Sequence, residues 1–540
     1  MMFKKYVLPG ILSLAVGFVY FFLALPAINI RYGGFWFMLL LMAAAYVVLY
    51  LKFSGKAERI KIIGGKPQIH AGRWMKRGLL VTVIVAAAVV LAIFISSAKL
   101  FRASEYQQML TVAEGEFSRD IAELPFSQIP VVDRDTAARL GSTKLGNVVE
   151  LVSQFDVSEY YTQINYKETP VRVSPLAYNG ILKWFANQSQ GIPYYVMIDM
   201  ATQNTELVKL EQGMKYSPSE YLMRDLTRHV RFAYPTKMFY ETSFEIDDNG
   251  APYWVMSYYE YTIGFLGGKD IKGIILIDAV TGEMKDYSIE EVPTWIDRVY
   301  SADLIIEQAD NWGALKNGYW NSVFTQKNVV QTTSGYNYLA VNDDVWLYTG
   351  ITSVASDNSN IGFILINMRT KESKTYAING ASEYSAMDSA EGMIQEKGYS
   401  ATFPILVNVA DTPSYFISLK DNAGLVKAYS FVSVSNYQIV GVADTLEGAQ
   451  KEYRRLLGKS EDEVPGEEEP PVEFQEGAGI ISRIASAVQN GNSVYYIEID
   501  GEIFTAGIQV DIRLPLLKEG DEISFQYSRE EESNQIQSIK

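Results

Sequence analysis

The pattern of apolar and polar positions changes character near residue 100. Before it lie three long apolar runs, Tyr6–Ile28, Gly34–Leu51 and Gly78–Ser97. Each is close to the ~20 residues that an α-helix needs to cross a hydrocarbon core. After it the apolar stretches shorten to strand length and alternate with polar positions, broken by segments with helical spacing. The pattern predicts an α+β protein: a three-helix membrane region followed by a large mixed domain.

One strand–turn–strand pattern recurs. "GIILIDAVTGEMKDYSI", Gly273–Ile289, aligns without gaps to "GFILINMRTKESKTYAI", Gly362–Ile378, with nine of seventeen positions identical. An earlier version, "YYVMIDMATQNTELVKL", places Asp199 and Thr202 where the first has Asp278 and Thr281. A looser fourth, "YFISLKDNAGLVKAYSF", centres on Asp421 and Gly424. Short polar residues and Gly belong in such turns because they bond locally or tolerate left-handed backbone. Asp278 becomes Asn367 in the second copy and Gly282 becomes Lys371. A catalytic carboxylate can be lost from one degenerate repeat, whereas a turn needs only short polar residues in every copy, so these are expected to be structural hairpins.

Helical segments sit between the hairpins. "SPSEYLMRDLTRHVRFAYP" offers Ser217 as a cap, Glu220 three residues on, and Leu222, Leu226 and Val230 at helical spacing. Further helices are expected over 100–155, with a cap at Asp135-Thr136, over 291–325, and in "SAMDSAEGMIQEKGY". Trp295, Trp312 and Trp320 are expected to pack inside the 291–325 stretch. "GKSEDEVPGEEEPPVEF", 458–474, reads as an acidic linker. Beyond it, 475–540 alternates and turns at Asp500-Gly501 and at Glu519-Gly520-Asp521, the signature of a small β-barrel of OB or SH3 type. The expected organisation is therefore a membrane region 1–99 with a basic loop 52–77, a juxtamembrane helical region 100–155, an α+β region 156–290, a helical connector 291–325, a second α+β region 326–457, the linker 458–474 and the barrel 475–540.

A helix, antiparallel strands and a closing Asp-x-x-Thr-Gly-Glu turn resemble the PepSY module, and "DAVTGEM", Asp278–Met284, is similar to that module's last hairpin. The likeness spans Ser217–Ser288, and more weakly Ser385–Val434 and Leu176–Leu210. The segments "VVDRDTAARLG", "GMKYSPSEY", "VPTWIDRVYSADLIIEQ" and "GYNYLAVNDDVWLYTG" also resemble a family of bacterial multi-span membrane proteins, which brings no assigned activity. The PepSY resemblance implies extracytoplasmic units that bind or inhibit secreted proteases or sense envelope cues. It implies no catalytic residue.

Charge adds a topology. The loop 52–77 carries eight Lys and Arg against the single acid Glu58, and short loops that basic stay in the cytoplasm. The N-terminus is then cytoplasmic, the protein multi-pass in the cell membrane, and everything after about residue 100 extracytoplasmic. Up to Arg102 the net charge is +12; the whole chain is −16, which leaves −28 for the remainder. An acidic ectodomain argues against nucleic acid as a partner.

Composition narrows the chemistry. There is no Cys, which removes disulfides, thiolate metal sites and Cys nucleophiles. The two His, His70 and His229, fall on opposite sides of the membrane in this topology. "EIDDNG", with Glu245, Asp247 and Asn249, begins like a calcium loop, but Met256 stands where its bidentate Glu belongs. No phosphate-binding loop or nucleophile elbow occurs. No catalytic, cofactor-binding or metal residue is assigned and no cofactor is expected. Three tyrosine-bearing segments, "SEYYTQINY", "SYYEYT" and "GYNYLAVNDDVWLY", offer an aromatic face for glycan or peptide, or simply reflect strand propensity. The expectation is a non-enzymatic, membrane-anchored binding or scaffold protein of the bacterial envelope, with a protein or peptide partner and glycan as another possible ligand. The alternatives are an envelope hydrolase or transferase using carboxylates or a Ser–Lys pair, and an accessory subunit of a membrane complex.

Overall fold

The computed structural model describes residues 2–54, 62–63, 66–67, 73–341, 343–353, 359–459, 475–489, 492–507, 510–511, 513–529 and 534–539. His70, most of the basic loop and the linker from 460 onward lie outside them. The chain forms two compact units, Met1–Pro465 and Gly466–Lys540.

Three helices near the N-terminus are long and apolar enough to span a membrane: Phe3–Ala24, Gly33–Phe53 and Leu80–Gln107. The first ends earlier than its apolar run predicts. Leu25 takes a left-handed conformation and closes the helix, and the loop after it docks on the mixed domain, where Ala27 is fully buried. There the Ile28 N–H donates to the Pro235 carbonyl at 2.7 Å and Arg31 Nη1 to the Tyr261 carbonyl at 2.8 Å. Ser97, at the end of Arg73–Ser97, accepts on its hydroxyl from the Phe265 and Leu266 N–H groups at 3.1 and 3.0 Å. The loop between the first two helices and the exit of the third are thus held at the same end of the spans.

The mixed domain is built on four antiparallel sheets. Sheet A runs Thr162–Tyr166, Thr169–Tyr178, Ile192–Asp199, Thr205–Met214, with Phe155–Val157 also paired to its second strand. Sheet B runs Met238–Ile246, Pro252–Ile263, Gly267–Asp278, Met284–Ser288. Sheet C runs Asn337–Val341, Asp344–Ser353, Gly362–Asn367, Ser373–Tyr376, and Val112–Glu114 adds a parallel edge strand. Sheet D runs Ile405–Val409, Thr412–Lys420, Val426–Ser433, Val440–Ala443. Each is an up-and-down meander, which short polar turns allow.

The sheets pack in cyclic order. The Phe244 N–H of sheet B donates to Thr162 Oγ1 of sheet A at 3.2 Å. Ile274 and Leu276 of sheet B share a core with Leu347, Ile364 and Ile366 of sheet C and with the helix Ala302–Ala314. Tyr415 of sheet D meets Phe363 of sheet C edge-on at 5.9 Å. The segment before residue 133 closes the ring between sheets D and A: Val131 donates its N–H to the Met200 carbonyl at 2.8 Å and accepts from Ser418 Oγ at 2.8 Å. Strands buried on both faces result, which is why their sequences hold long apolar runs.

In sheets A, B and C the third and fourth strands meet in one turn geometry. Oδ1 of Asp199, Asp278 and Asn367 accepts from the N–H groups two and three residues on, at 2.8–2.9 Å. Gln203, Gly282 and Lys371, four residues on, all have positive φ. Asp421 differs. It lies between the second and third strands of sheet D, its Oδ1 accepts from Ala423 and Leu425, and the positive φ falls at Gly424. Its nearest equivalent is Asp247, whose Oδ1 accepts from Asn249 and Ala251 with Gly250 left-handed.

Several expected helix starts move. The helix expected from Ser217 spans Leu226–Ala233 and is capped by Asp225, whose side chain accepts from the Arg228 N–H. Glu220 is buried instead, accepting from Trp184 Nε1 at 2.6 Å and Tyr178 Oη at 3.0 Å. The cap expected at Asp135-Thr136 is Asp133, which accepts from the Thr136 N–H at 2.8 Å and opens Arg134–Gly146. Of the three tryptophans, Trp295 and Trp312 pack on the core, while Trp320 is 61% exposed and stacks on Phe324. The second unit is a closed five-stranded barrel in the order Gln475–Gln489, Asn492–Ile499, Glu502–Gly507, Asn534–Ile539, Glu522–Arg529. Its turn at Asp500-Gly501 has positive φ at both residues, the primed geometry of a two-residue hairpin.

Candidate functional site

The first strands of the four sheets converge on a hub. At one end of it opens a cleft of about 860 Å³. Its walls are the beginnings of those strands: Tyr160–Gln163 from sheet A, Tyr240–Ser243 from sheet B, Tyr336–Tyr338 from sheet C, and Phe403 ahead of sheet D. Asp133 and Arg134 enter from a helix start, Arg298 from the segment between sheets B and C, and Arg172 from the second strand of sheet A.

Five tyrosines line this space: Tyr160, Tyr161, Tyr240, Tyr336 and Tyr338. Their rings pack outward as well. Tyr160 meets Trp254 edge-on at 5.2 Å and Tyr240 meets Tyr259 at 5.6 Å. The walls are therefore held from behind. Burial raises the Tyr336 phenol to about 12, helped by the neighbouring Tyr338, and burial also raises Tyr160 and Tyr161. All three stay neutral and able to donate at physiological pH.

The cations are set more deeply than the acids. Arg172 sits opposite Gln163 in the strand register and is 7% exposed. One guanidinium nitrogen donates to Gln163 Oε1 at 3.1 Å, and Nε is buried without a partner. Arg298 donates to Tyr338 Oη at 2.7 Å and lies over that ring at 4.2 Å. Loss of solvation lowers the Arg172 guanidinium to about 10, with Arg298 also pushing down, so it remains charged at neutral pH.

Each acid of the cleft has a distinct condition. Asp133 has both oxygens engaged, Oδ1 by the Thr136 N–H and Oδ2 by Lys420 Nζ at 2.5 Å; despite burial, these partners hold its carboxyl below the ordinary range. Glu159 is exposed, and its backbone carbonyl accepts from Arg134 at 2.8 Å. Glu241 is exposed, and loss of solvation at the cleft wall pushes its carboxyl above the ordinary range against the pull of Arg298. Behind the wall, Glu245 accepts from Ser243 Oγ at 2.7 Å and from the Asp297 N–H at 2.9 Å. Burial raises both Glu245 and Asp297, and the Glu245 charge raises Asp297 further. Asp297 Oδ2 accepts from the Asn165 N–H at 2.6 Å, which ties this pair into the hub.

The residues singled out in the sequence divide cleanly. The first and third tyrosine segments meet in the cleft; the tyrosines of "SYYEYT" do not line it. His229 packs on Tyr216 with ring centres 4.4 Å apart and its Nε2 lies 2.9 Å from the Gly282 carbonyl, bracing a hairpin turn. Asp247 serves its own turn and Glu245 is buried, so "EIDDNG" forms a hairpin. Among the described residues no group of His, Cys, Asp and Glu is placed to hold a metal ion. Arg172, Arg298 and Glu241 carried no motif. The signal for Arg172 was its position, a cation inside the strand run "PVRVSPLAY" with valines on either side.

No known protein family matches the chain, and no curated protein matches it. Among solved structures, an exo-1,5-α-L-arabinanase from a bovine ruminal metagenomic library is similar at 11% identity over 71% of this chain and 98% of that one, with a TM-score of 0.17. The levansucrase of Bacillus subtilis is similar at 9% identity over 82% and 94%, again with a TM-score of 0.17. An apocarotenoid oxygenase/RPE65 chimera gives 8% over 52% and 46%, with a TM-score of 0.12. Superpositions of that quality transfer neither fold nor activity to this chain.

Proposed function

We propose that this chain is a membrane-anchored binding protein of the bacterial envelope, with its mixed domain outside the cytoplasm. In this reading the cleft at the hub takes a segment of a protein, a peptide or a wall polymer. The observation that carries it is the cleft itself: about 860 Å³, walled by five tyrosines and floored by two guanidinium groups. Aromatic rings supply large contact at little entropic cost, and neutral hydroxyls supply hydrogen bonds.

The basic loop supports this orientation, because short loops that basic stay in the cytoplasm, and in this reading the docked 25–32 loop and the domain lie outside. Leu182, Phe185 and Leu222 are exposed, and Arg228, which donates to the Leu222 and Phe22 carbonyls, links this apolar patch to the end of the first span. Such side chains suit the headgroup region. The shared turns of sheets A, B and C support the PepSY-like reading of those hairpins. The strand order of the C-terminal barrel supports an OB rather than an SH3 type.

A hydrolase is the second reading, favoured by the raised carboxyl of Glu241 in a cleft. Asp133 is spent on a helix cap and an ion pair, which leaves the exposed Glu159 as the other acid lining the cleft. Photocrosslinking in intact cells separates the readings. With a photoreactive residue at Tyr240 or Tyr336, the proposal expects one dominant envelope adduct that exposed Tyr437, in the turn before the last strand of sheet D, does not give. Equal labelling from all three sites would contradict it. Processed wall fragments that vanish with Glu241→Gln would favour the hydrolase.

A further inference from the structure

We infer that the cleft binds an anionic ligand, whose negative group seats against Arg172 with Arg298 beside it. The inference rests on the cleft being a binding site, and adds the chemistry of what it binds.

A buried charge without an opposite charge is costly, and proteins normally pair it. Arg454 illustrates the usual solution: it is 2% exposed and forms an ion pair with Glu123. Arg172 is nearly as buried and, among the described residues, has a neutral amide as its one hydrogen-bond partner; its Nε is unpartnered, as that of Arg454 is, but no carboxylate meets its other nitrogens. Among the described residues no carboxylate forms an ion pair with Arg172 or Arg298, though the charges of Glu241 and Glu245 act on Arg298. The three acids that line the cleft do not fill the role. Asp133 is held by Lys420, and Glu159 and Glu241 lie exposed, neither in an ion pair with Arg172. Arg134 adds a third positive charge at the wall, with one nitrogen on the Glu159 carbonyl.

A planar guanidinium with free N–H groups matches the paired oxygens of a carboxylate or a phosphate. The tyrosines around it suit the uncharged remainder, a sugar ring or a peptide backbone. Anionic groups of this kind come from sugar acids, from peptide C-termini and from glycerol-phosphate polymers. The geometry fixes the charge, and the source is a matter for the assay.

The test uses the full chain in neutral detergent and isothermal titration with three matched pairs: glucuronate and glucose, glycerol 1-phosphate and glycerol, N-acetyl-dialanine and its amide. At least one anion is expected to bind about tenfold or more tighter than its neutral partner, and to weaken as salt rises from about 0.05 to 0.2 M. The pair that responds names the source. Gln163→Glu places a carboxylate against Arg172; it should abolish anion binding while the melting temperature holds or rises. Arg172→Met should abolish it as well. Failure of every anion to bind the wild type, equal binding of anion and neutral partner, or full binding by Gln163→Glu would overturn the inference. Loss of neutral-ligand binding in Tyr240→Ala, with Arg172→Met unaffected, would leave the cleft a binding site and refute only its preference for anions.

Discussion

Arg231 and Arg172 are both buried, at 4% and 7% exposure, and in each the loss of solvation lowers the guanidinium to about 10. Their surroundings differ. Arg231 donates to the carbonyls of Leu25, Tyr234, Pro235 and Lys237, at 3.0, 3.2, 3.4 and 2.6 Å. It stitches the end of the first span to sheet B, where the partial negative charge of a helix C-terminus favours a cation. Arg172 has one amide oxygen and an open cleft. The same desolvation is thus offset by the fold at the membrane junction and left standing at the hub. A cation whose partners are all supplied by the chain is structural. One whose partners are missing is held ready for something outside the chain.

The largest expected effect is at the junction. Arg231→Met removes a donor from four partly buried carbonyls, of which Pro235 keeps the Ile28 N–H, and should cost on the order of 3 kcal/mol, measured by thermal or denaturant unfolding in detergent. Arg228→Ala should cost less, because its side chain is only partly buried and makes fewer such bonds. A larger loss for Arg228→Ala would break the ranking by carbonyl count.

The hub should respond to pH. Asp297 and Glu245 have carboxyls held above their ordinary values of 3.8 and 4.5, chiefly by burial. Such groups stabilise the fold fully only below those ordinary values, and the contribution is lost as pH rises through the elevated ones. Melting temperature should therefore fall from mildly acidic toward alkaline pH, and Asp297→Asn should flatten that slope. A stability maximum above neutral pH would contradict the assignment.

The smallest effects belong to the hairpin turns, away from both regions. Asp278→Ala removes a two-bond acceptor and should cost about 1 kcal/mol, whereas Asn367→Ala also removes the Nδ2 donor to Asp344 and Asn367→Asp sets a second carboxylate against it, so both should cost more. Gly282→Ala should cost more than Asp278→Ala, because φ is +76° and a Cβ there would press on the Tyr216 ring. Denaturant midpoints read all four.

The sequence revealed what is local. Apolar run length marked the three membrane-length helices, and the Asp-x-x-Thr spacing marked turns whose side-chain bonds lie within four residues. The alternation after residue 475 marked the barrel. The hub was hidden because it is made of pairings distant along the chain, such as Asn165 with Asp297 and Asn337 with the Phe403 carbonyl. Arg172 was hidden for a related reason. A polar residue in an alternating strand ordinarily faces water, but these sheets are covered on both faces, so that position points into the molecule. The helix expected from Ser217 failed because Glu220 had a stronger use, accepting from Trp184 and Tyr178, than a capping box could offer.

The measurement that tests this account most directly is the melting temperature of Arg172→Met beside Arg231→Met, with the same detergent and no added ligand. Relief of an uncompensated buried charge predicts that Arg172→Met melts at or above the wild type while Arg231→Met melts several degrees below it. If Arg172→Met falls as far as Arg231→Met, the cation at the hub is part of the scaffold and the account is wrong.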